Sequence, residues 1–309
     1  MNWRLKSAIR HALLALPGGD RLYRWLTYQL LGSMSGMAGK WFRVFPERVA
    51  VLREHCGESA RAQRMWCFDS GTTIAAGLAM AIASDQPGLL TDRWDRLSNR
   101  YCHTSRQVLR EKGGELARVS GAPAGRVEEI SRATGAGDAR AALAAIRMTY
   151  SGLHAEAESP EWRGRTGFIF SGGSFEHYTP EELDAEVARM ARVVQPGGLL
   201  SHVVDHRDHR WHADKTISPL DHLTIEPDDY RRRFGNPLEY HNRWLRSSYV
   251  DLFARHGFTL TCREVRGYTD DLVPLDRSRL TPPFADAGQE DLHSLVTHFI
   301  AVPTGAGSG

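Results

Sequence analysis

Residues 166–205 read TGFIFSGGSFEHYTPEELDAEVARMARVVQPGGLLSHVVD, and they decide the fold. Thr166–Ser171 is a short apolar run suited to a buried strand, ended by Gly172-Gly173. Thr179, with Glu182 three residues on, is a capping box that opens a helix. Leu183, Val187, Met190, Ala191 and Val194 then recur on one face of Pro180–Val194. Pro196-Gly197-Gly198 reads as a tight turn, and Leu199–Asp205 as the next strand. Strand, helix and strand in this order is the repeating unit of a sheet with helices on its faces.

The alternation extends in both directions. Met65–Phe68 is a short strand, followed by Asp69-Ser70-Gly71-Thr72-Thr73 and the Ala-rich helix Ile74–Ala83. Gly88–Thr91 is a second strand ending at Asp92, residues 93–145 are largely helical, and Ile146–Tyr150 is a third strand. After Asp205 come a helix over Tyr249–His256, stopped by Gly257, and two last strands, Phe258–Val265 and Ser294–Val302, far enough apart for a hairpin-like return. Residues 1–60 carry helical spacings: Leu5, Ile9, Leu13 and Leu14; then Leu22, Trp25, Leu26 and Leu30 behind Asp20 as N-cap; then Pro46–His55. This predicts a helical lid over 1–60, an α/β domain over 61–303 with an insertion at about 206–247, and a flexible tail over 304–309.

Composition excludes several classes. A chain of 309 residues with 41% hydrophobic and 25% charged residues is globular and long enough for a sizeable core. Lys+Arg total 39 against 37 Asp+Glu, so no whole-chain nucleic-acid signal exists. Cys56, Cys67, Cys102 and Cys262 form no C-x-x-C pair, which argues against a zinc ribbon or a disulfide framework. No apolar run reaches the ~18 residues of a membrane span, and the short run Ala12–Pro17 is no signal-peptide core. A cytoplasmic protein is the expectation.

Such sheets bind ligands beyond the carboxyl ends of their strands. Gly71 in the first turn suits close backbone approach to a ligand, and Asp92 at the end of the next strand can accept from ribose hydroxyls. The stretch Phe170–His177, the following helix and Pro196-Gly197-Gly198 resemble class I S-adenosylmethionine-dependent methyltransferases, whose pattern is "S…LEH", a helix, then "L-x-P-G-G". The segments SHVVDHRDHRWHADKTISPLDHL (201–223) and YHNRWLRSSYVDLFARHGF (240–258) look like an uncharacterised subgroup of methyltransferase-domain proteins. The resemblance covers residues 20–60, 64–97 and, most specifically, 166–260.

The resemblance implies a seven-stranded Rossmann-like sheet with S-adenosyl-L-methionine over the first turn. Asp69, Gly71 and Thr73 would lie beside it, Asp92 would hold its ribose, and Ser171, Phe175, Glu176 and His177 would line the opposite wall. Two positions depart from the family pattern: Thr73 replaces the second turn glycine, and Gly167 stands where an Asp usually opens the fourth strand. Glu156 or Glu158 would be the acid that reads adenine.

The run His202, Asp205, His206, Asp208, His209 and His212 offers a base oriented by an acid. His209 with Asp208 or Asp205 is the first expectation, and His206 the second. Imidazole with carboxylate also suits Zn or Mn. Clustered loop histidines are more often hydrogen-bonded than ligating, so no metal is expected. Tyr240, Asn242, Arg243 and Tyr249 would bind substrate, Arg243 through its planar fork; Arg243 paired with Asp205 or Asp208 is the structural alternative. Trp211, Trp244 and Phe234 could line an acceptor pocket or simply pack.

The expected function is methyl transfer to oxygen or nitrogen of a small molecule in specialised metabolism, with no nucleic-acid partner and a homodimer as the one assembly entertained. Two alternatives stand beside it. One is a methyltransferase fold turned to cyclase, isomerase or lyase chemistry. The other is a scaffold with a decayed cofactor site.

Overall fold

A computed structural model describes residues 12–14, 16–26, 36–235 and 240–305. Its strands are β1 (Met65–Cys67), β2 (Gly88–Thr91), β3 (Met148–Ser151), β4 (Thr166–Gly172), β5 (Val194–Asp205), β6 (Phe258–Gly267) and β7 (Ser294–Pro303). They form a seven-stranded sheet in the order β3-β2-β1-β4-β5-β7-β6. β1 pairs in parallel with β2 and β4, with Trp66 opposite Leu89 and Ile169, and β2 pairs in parallel with β3. Strand order reverses between β1 and β4, which makes the carboxyl ends there the ligand end of the sheet.

The helices are α1 (Gly19–Trp25), α2 (Gly36–Cys56), α3 (Ala75–Ala83), α4 (Cys102–Ser120), α5 (Arg126–Ala133), α6 (Ala139–Ala145), α7 (Pro180–Val193), α8 (Pro227–Phe234), α9 (Arg246–Arg255) and α10 (Gln289–His293). Every residue of α3 is buried, as its unbroken small and apolar sequence demands. Gly77 lets α3 lie close to α6, since a Cβ there would collide with Leu143.

The chain divides into two compact units. A β1–β4 unit comprises Arg24–Gly172, Arg189–Ser201 and Val302–Gly309; a β6–β7 unit comprises Met1–Tyr23, Gly173–Ala188 and His202–Ala301. In the β1–β4 unit, α2 buries Trp41, Phe42, Phe45, Val49 and Leu52. Trp41 meets Phe170 edge-on at 5.8 Å and Phe45 packs on it at 4.9 Å. Trp41 Nε1 donates to Ser70 O (3.3 Å) and Lys40 Nζ to Gly172 O (2.6 Å), which ties this helix to the turns after β1 and β4. In the β6–β7 unit, Phe175 stacks near Tyr249 and Phe253, and both of these meet Phe299. A second core there gathers Leu220, Leu223, Leu245, Leu280, Phe284, Leu292 and Leu295.

Several boundaries differ from the sequence reading. The helix read over Pro46–His55 reaches back to Gly36 with Pro46 inside it, and Asp20 lies within α1. Pro196-Gly197-Gly198 is no separate turn, because β5 already starts at Val194 and only Gly197 takes a positive φ, 72°. α9 starts at Arg246, three residues before Tyr249. Residues 36–60 belong with the strands of the β1–β4 unit, and residues 206–247 are integral to the β6–β7 unit. Leu5, Ile9, Leu30 and residues 306–309 lie outside the described residues. Among the described residues, no helix is long and apolar enough to cross a membrane.

The capping box forms as the sequence predicts. The Thr179 amide donates to the Glu182 carboxylate (2.8 Å) and the Glu182 amide to Thr179 Oγ1 (3.2 Å). Thr179→Ala removes one half of this exchange and is expected to cost about 1 kcal/mol, measured by urea unfolding.

Candidate functional site

Three parallel strands of the β1–β4 unit deliver polar side chains at their carboxyl ends: Asp69 after β1, Asp92 after β2 and His154 after β3. Asp69 adopts φ 55° and Gly71 φ 83°, and a Cβ at Gly71 would meet open space. The Gly71 amide donates to Asp92 Oδ2 (3.0 Å), as does Arg96 Nε (2.8 Å), and the Trp94 amide reaches Oδ1 (3.3 Å). Asp92 is 0% exposed. Burial pushes its carboxyl up to about 6, against the lowering pull of Arg96.

His154 is the functional candidate that sequence reasoning missed. It stacks on Phe68 at 4.1 Å, and its Nδ1 lies 2.7 Å from Thr91 Oγ1, which also accepts from Trp66 Nε1 (2.7 Å). Its Nε2 is 3.5 Å from Asp69 Oδ1. Burial alone would raise the Asp69 carboxyl, but the hydrogen bond and charge of His154 hold it below its ordinary value. The sequence signal was its place just past β3, where acids were sought instead. Of those acids, Glu158 is committed to Arg189 (2.9 Å) and Arg192 (2.7 Å), and Glu156 is exposed.

The turn itself carries unspent hydrogen-bonding capacity. Ser70 Oγ and Thr72 Oγ1 are buried with no hydrogen-bond partner. Buried hydroxyls are normally paired, and each orphan costs about 1–3 kcal/mol, a cost that a polar ligand at this turn would relieve. Thr73 turns inward and accepts from the Ala75 amide (3.4 Å) at the start of α3, so its hydroxyl serves the turn. Gly167 sits at the amino end of β4, where a Cβ would strike the Gln63 side chain that Gln195 holds at 2.8 Å. That departure lies at the other end of the strand from Ser171 and does not touch the ligand end. Ser171 is fully buried.

In the β6–β7 unit most expected catalytic and substrate residues are occupied by structural work. Asp205 is clamped by Arg207 (2.6 Å) with His212 at 3.6 Å, which holds its carboxyl far below the usual range although burial alone would raise it. It is a fixed counter-ion, too acidic to take a proton. Asp208 pairs with Arg210 (2.5 Å), which also reaches Asp221 (2.8 Å). His206 has one nitrogen 3.1 Å from Trp244 O and the other 3.1 Å from Thr297 Oγ1; burial lowers it to about 4. Its carbonyl partner requires the proton on Nδ1, so Nε2 accepts from Thr297 and no lone pair is left for substrate.

Asn242 donates to Phe175 O (2.9 Å) and Tyr178 O (3.2 Å) and accepts from the Trp244 amide (3.0 Å) and the Tyr249 hydroxyl (3.1 Å). Arg243, at φ 57°, gives Nη1 to His222 O (3.1 Å) and Ile225 O (2.8 Å), and its guanidinium lies over Tyr230. It pairs with neither Asp205 nor Asp208. Asn242 and Tyr249 therefore position the backbone, and Arg243 commits its Nη1 to two backbone carbonyls. Phe175 is likewise core, stacked on His202 at 4.4 Å. Trp244 packs edge-on to Tyr249.

His209 stands apart from these. It makes no hydrogen bond with a described residue and meets the rings of His177 (4.9 Å), His212 (5.9 Å) and His241 (4.8 Å). Burial, then the neighbouring His241 and His177, keep it well below its ordinary value and so neutral at pH 7. His177 Nδ1 is 3.2 Å from Tyr240 O. Glu176, His177 and His209 offer three ligand atoms within 4.8 Å of one another.

The Asp92 carboxyl, raised from 3.8 to about 6, favours the folded state only while protonated. That stabilisation is complete below pH 3.8 and is lost as pH rises through 6. Asp92→Asn removes the penalty. Its stability advantage over the natural chain is expected to grow from pH 4 to pH 7 by up to ~3 kcal/mol, read from urea unfolding at each pH.

No protein-family model matches the sequence, and no curated protein does. Among solved structures, phosphoethanolamine N-methyltransferase 2 of Haemonchus contortus matches at TM-score 0.48 and 13% identity, over 91% of this chain and 59% of its own. CurJ carbon methyltransferase matches at 0.45 and 11%, over 91% and 61%. A TehB-like S-adenosylmethionine-dependent methyltransferase of Corynebacterium glutamicum matches at 0.42 and 10%, over 88% and 99%. The chain thus spans about 60% of the length of the first two. At these identities the likeness concerns fold alone, and no residue role follows from it. The strand order β3-β2-β1-β4-β5-β7-β6 with its surrounding helices is that of the class I methyltransferase fold.

Proposed function

We propose that the chain transfers a methyl group from S-adenosyl-L-methionine to an oxygen or nitrogen of a small molecule. The observation that carries this reading is the turn after β1, where Ser70 and Thr72 bury unpaired hydroxyls beside an open Gly71. A zwitterionic, ribose-bearing ligand would satisfy such groups. The cofactor, when bound, supplies an electrophilic methyl on sulfur. Ser70, Gly71 and Thr72 would hold its polar portions, with Asp92 accepting from the ribose hydroxyls. His209, neutral and uncommitted, would take the proton that the acceptor loses. The N-methyltransferase of Haemonchus contortus was crystallised with a phosphorylated amine and S-adenosylhomocysteine, an example of the reaction class on this fold. A cytoplasmic role in specialised metabolism, and a homodimer, belong to the same proposal.

One observation favours a second reading, a fold turned from methyl transfer. Asp92 is fully buried, with Arg96 and the Gly71 amide on the same oxygen. Ribose would have to displace Arg96.

Calorimetric titration with S-adenosylmethionine and S-adenosylhomocysteine, followed by mass spectrometry, separates the readings. Micromolar binding is expected, weakened about tenfold or more by Asp92→Asn through a lost charge-assisted hydrogen bond, with S-adenosylhomocysteine as product once an acceptor is supplied. Methylthioadenosine formed without any acceptor would favour the second reading. Absence of binding at millimolar ligand would refute both.

A further inference from the structure

We propose that Glu176, His177 and His209 bind a divalent first-row transition-metal ion. The three ligand atoms already lie within 4.8 Å of one another, all within the β6–β7 unit. Two imidazoles and a carboxylate suit Zn²⁺, Fe²⁺, Co²⁺ or Mn²⁺, whereas Mg²⁺ and Ca²⁺ prefer sites made wholly of oxygen. Three protein ligands also leave a coordination position open, the pattern of reactive metal sites.

Two features build the site beyond proximity. The first is the tautomer of His177. Tyr240 O can only accept, so His177 Nδ1 carries the proton and Nε2 the lone pair. A ligating histidine is typically oriented by this kind of N–H to carbonyl bond. The second is backbone fixation. The turn Phe175–His177 is held by Asn242, whose side chain binds the carbonyls of Phe175 and Tyr178 and whose amide donates to Glu176 O (2.9 Å). The turn His209–His212 is capped by Asp208, which accepts the Arg210 amide (2.8 Å). Each ligand therefore leaves a clamped turn, with His177 at the exposed edge.

The neighbouring histidines have other assignments. His241 Nδ1 accepts the Arg243 amide (3.0 Å), so its Nε2–H donates to Asp205 O (3.2 Å), and neither nitrogen is left to ligate. Behind it, 5.0 Å ring to ring, His222 is fully buried with both nitrogens lacking a hydrogen-bond partner. An unsatisfied buried imidazole is an expensive neighbour to keep, and it continues the imidazole row that ends at His177.

The metal's role rests on the methyl-transfer reading. An acceptor hydroxyl or amine at the open position would lose its proton to solvent at lower pH. Its oxygen or nitrogen would then form the bond to carbon as the carbon–sulfur bond breaks and the electron pair passes to sulfur. His209 would be a ligand and no longer the proton acceptor.

The test uses the full, untagged chain stripped with chelator, without cofactor or acceptor. Zn²⁺ is titrated calorimetrically and Co²⁺ by visible absorption, with Mg²⁺ as comparison. One equivalent of Zn²⁺ or Co²⁺ is expected, with affinity falling about tenfold or more in His177→Gln and in Glu176→Gln. His212→Gln, which alters a ring neighbour outside the triad, is expected to leave affinity unchanged. His177 is exposed, so its variant tests the site with little risk to folding, checked by thermal melting. Several weak equivalents, or unchanged affinity in His177→Gln, would overturn the site. Titration of the stripped protein with S-adenosylhomocysteine reports separately on the methyl-transfer reading, so either idea can fail alone.

Discussion

The primary amide of Asn242 is the constraint on which the β6–β7 unit depends. A side-chain amide has two donors and one acceptor with two lone pairs. Here both donor contacts go to carbonyls of the segment after β4, and the acceptor contacts come from Trp244 just before α9 and Tyr249 within it. One planar group thus fixes the stretch Phe175–Tyr178, 64 to 67 residues away in sequence, and the Asn242 backbone amide adds the carbonyl of Glu176. Removing it would take one hydrogen bond from each of these carbonyls, at about 0.5–1.5 kcal/mol apiece. Tyr249 adds its hydroxyl to the same amide while its ring joins the aromatic core. Packing and polar order are set together.

The acids of 205–221 follow a related logic. Asp205 and Asp208 each have an arginine two residues on, Arg207 and Arg210, and these arginines lie over Trp211 and Phe234. Aspartate with arginine at this spacing closes a turn on itself, and the aromatic faces shield the pairs from water. Buried pairs of this kind gain little net stability, because desolvation offsets attraction, but they penalise alternatives in which either charge is stranded. Their effect is to hold His209 and its neighbours at one geometry.

Much of the fold was legible, because periodicity and turn chemistry are local. The limits of β2 agree residue for residue, and the Thr179–Glu182 box forms as read. Errors arose where a single residue type was given too much weight. Pro196-Gly197-Gly198 reads as a turn, yet one positive φ at Gly197 suffices to keep β5 continuous. The site was less legible, since roles depend on who else is near. Asn242 and Arg243 are polar residues of the kind that bind ligands, and only the three-dimensional arrangement shows the Asn242 amide and Arg243 Nη1 bound to backbone carbonyls. His154 was invisible for the opposite reason: a lone histidine past β3 says nothing until Phe68, Thr91 and Asp69 surround it. His209 and His177 share no sequence spacing that would announce a common cluster.

What remains after that accounting is an uneven distribution of cost. At the ligand end of the β1–β4 unit, Asp92 is buried with a raised carboxyl, and Ser70 and Thr72 bury hydroxyls with no partner. In the same unit, Arg48 is buried with Nη1 unmet, and burial lowers it to about 10. Other polar groups of this unit are matched, Gln63 with Gln195, Glu158 with two arginines and Arg61 with Asp85, while Arg106 Nε, Ser159 Oγ and Trp162 Nε1 are also buried without a hydrogen-bond partner. A chain under selection for stability alone would relieve the first set with apolar residues of like size, since a buried polar group without a partner costs more than its replacement. Natural proteins tolerate such strain mainly where a ligand relieves it. The turn after β1 gathers two of these unpaired hydroxyls, Ser70 Oγ and Thr72 Oγ1, and a ligand bound there would relieve their cost.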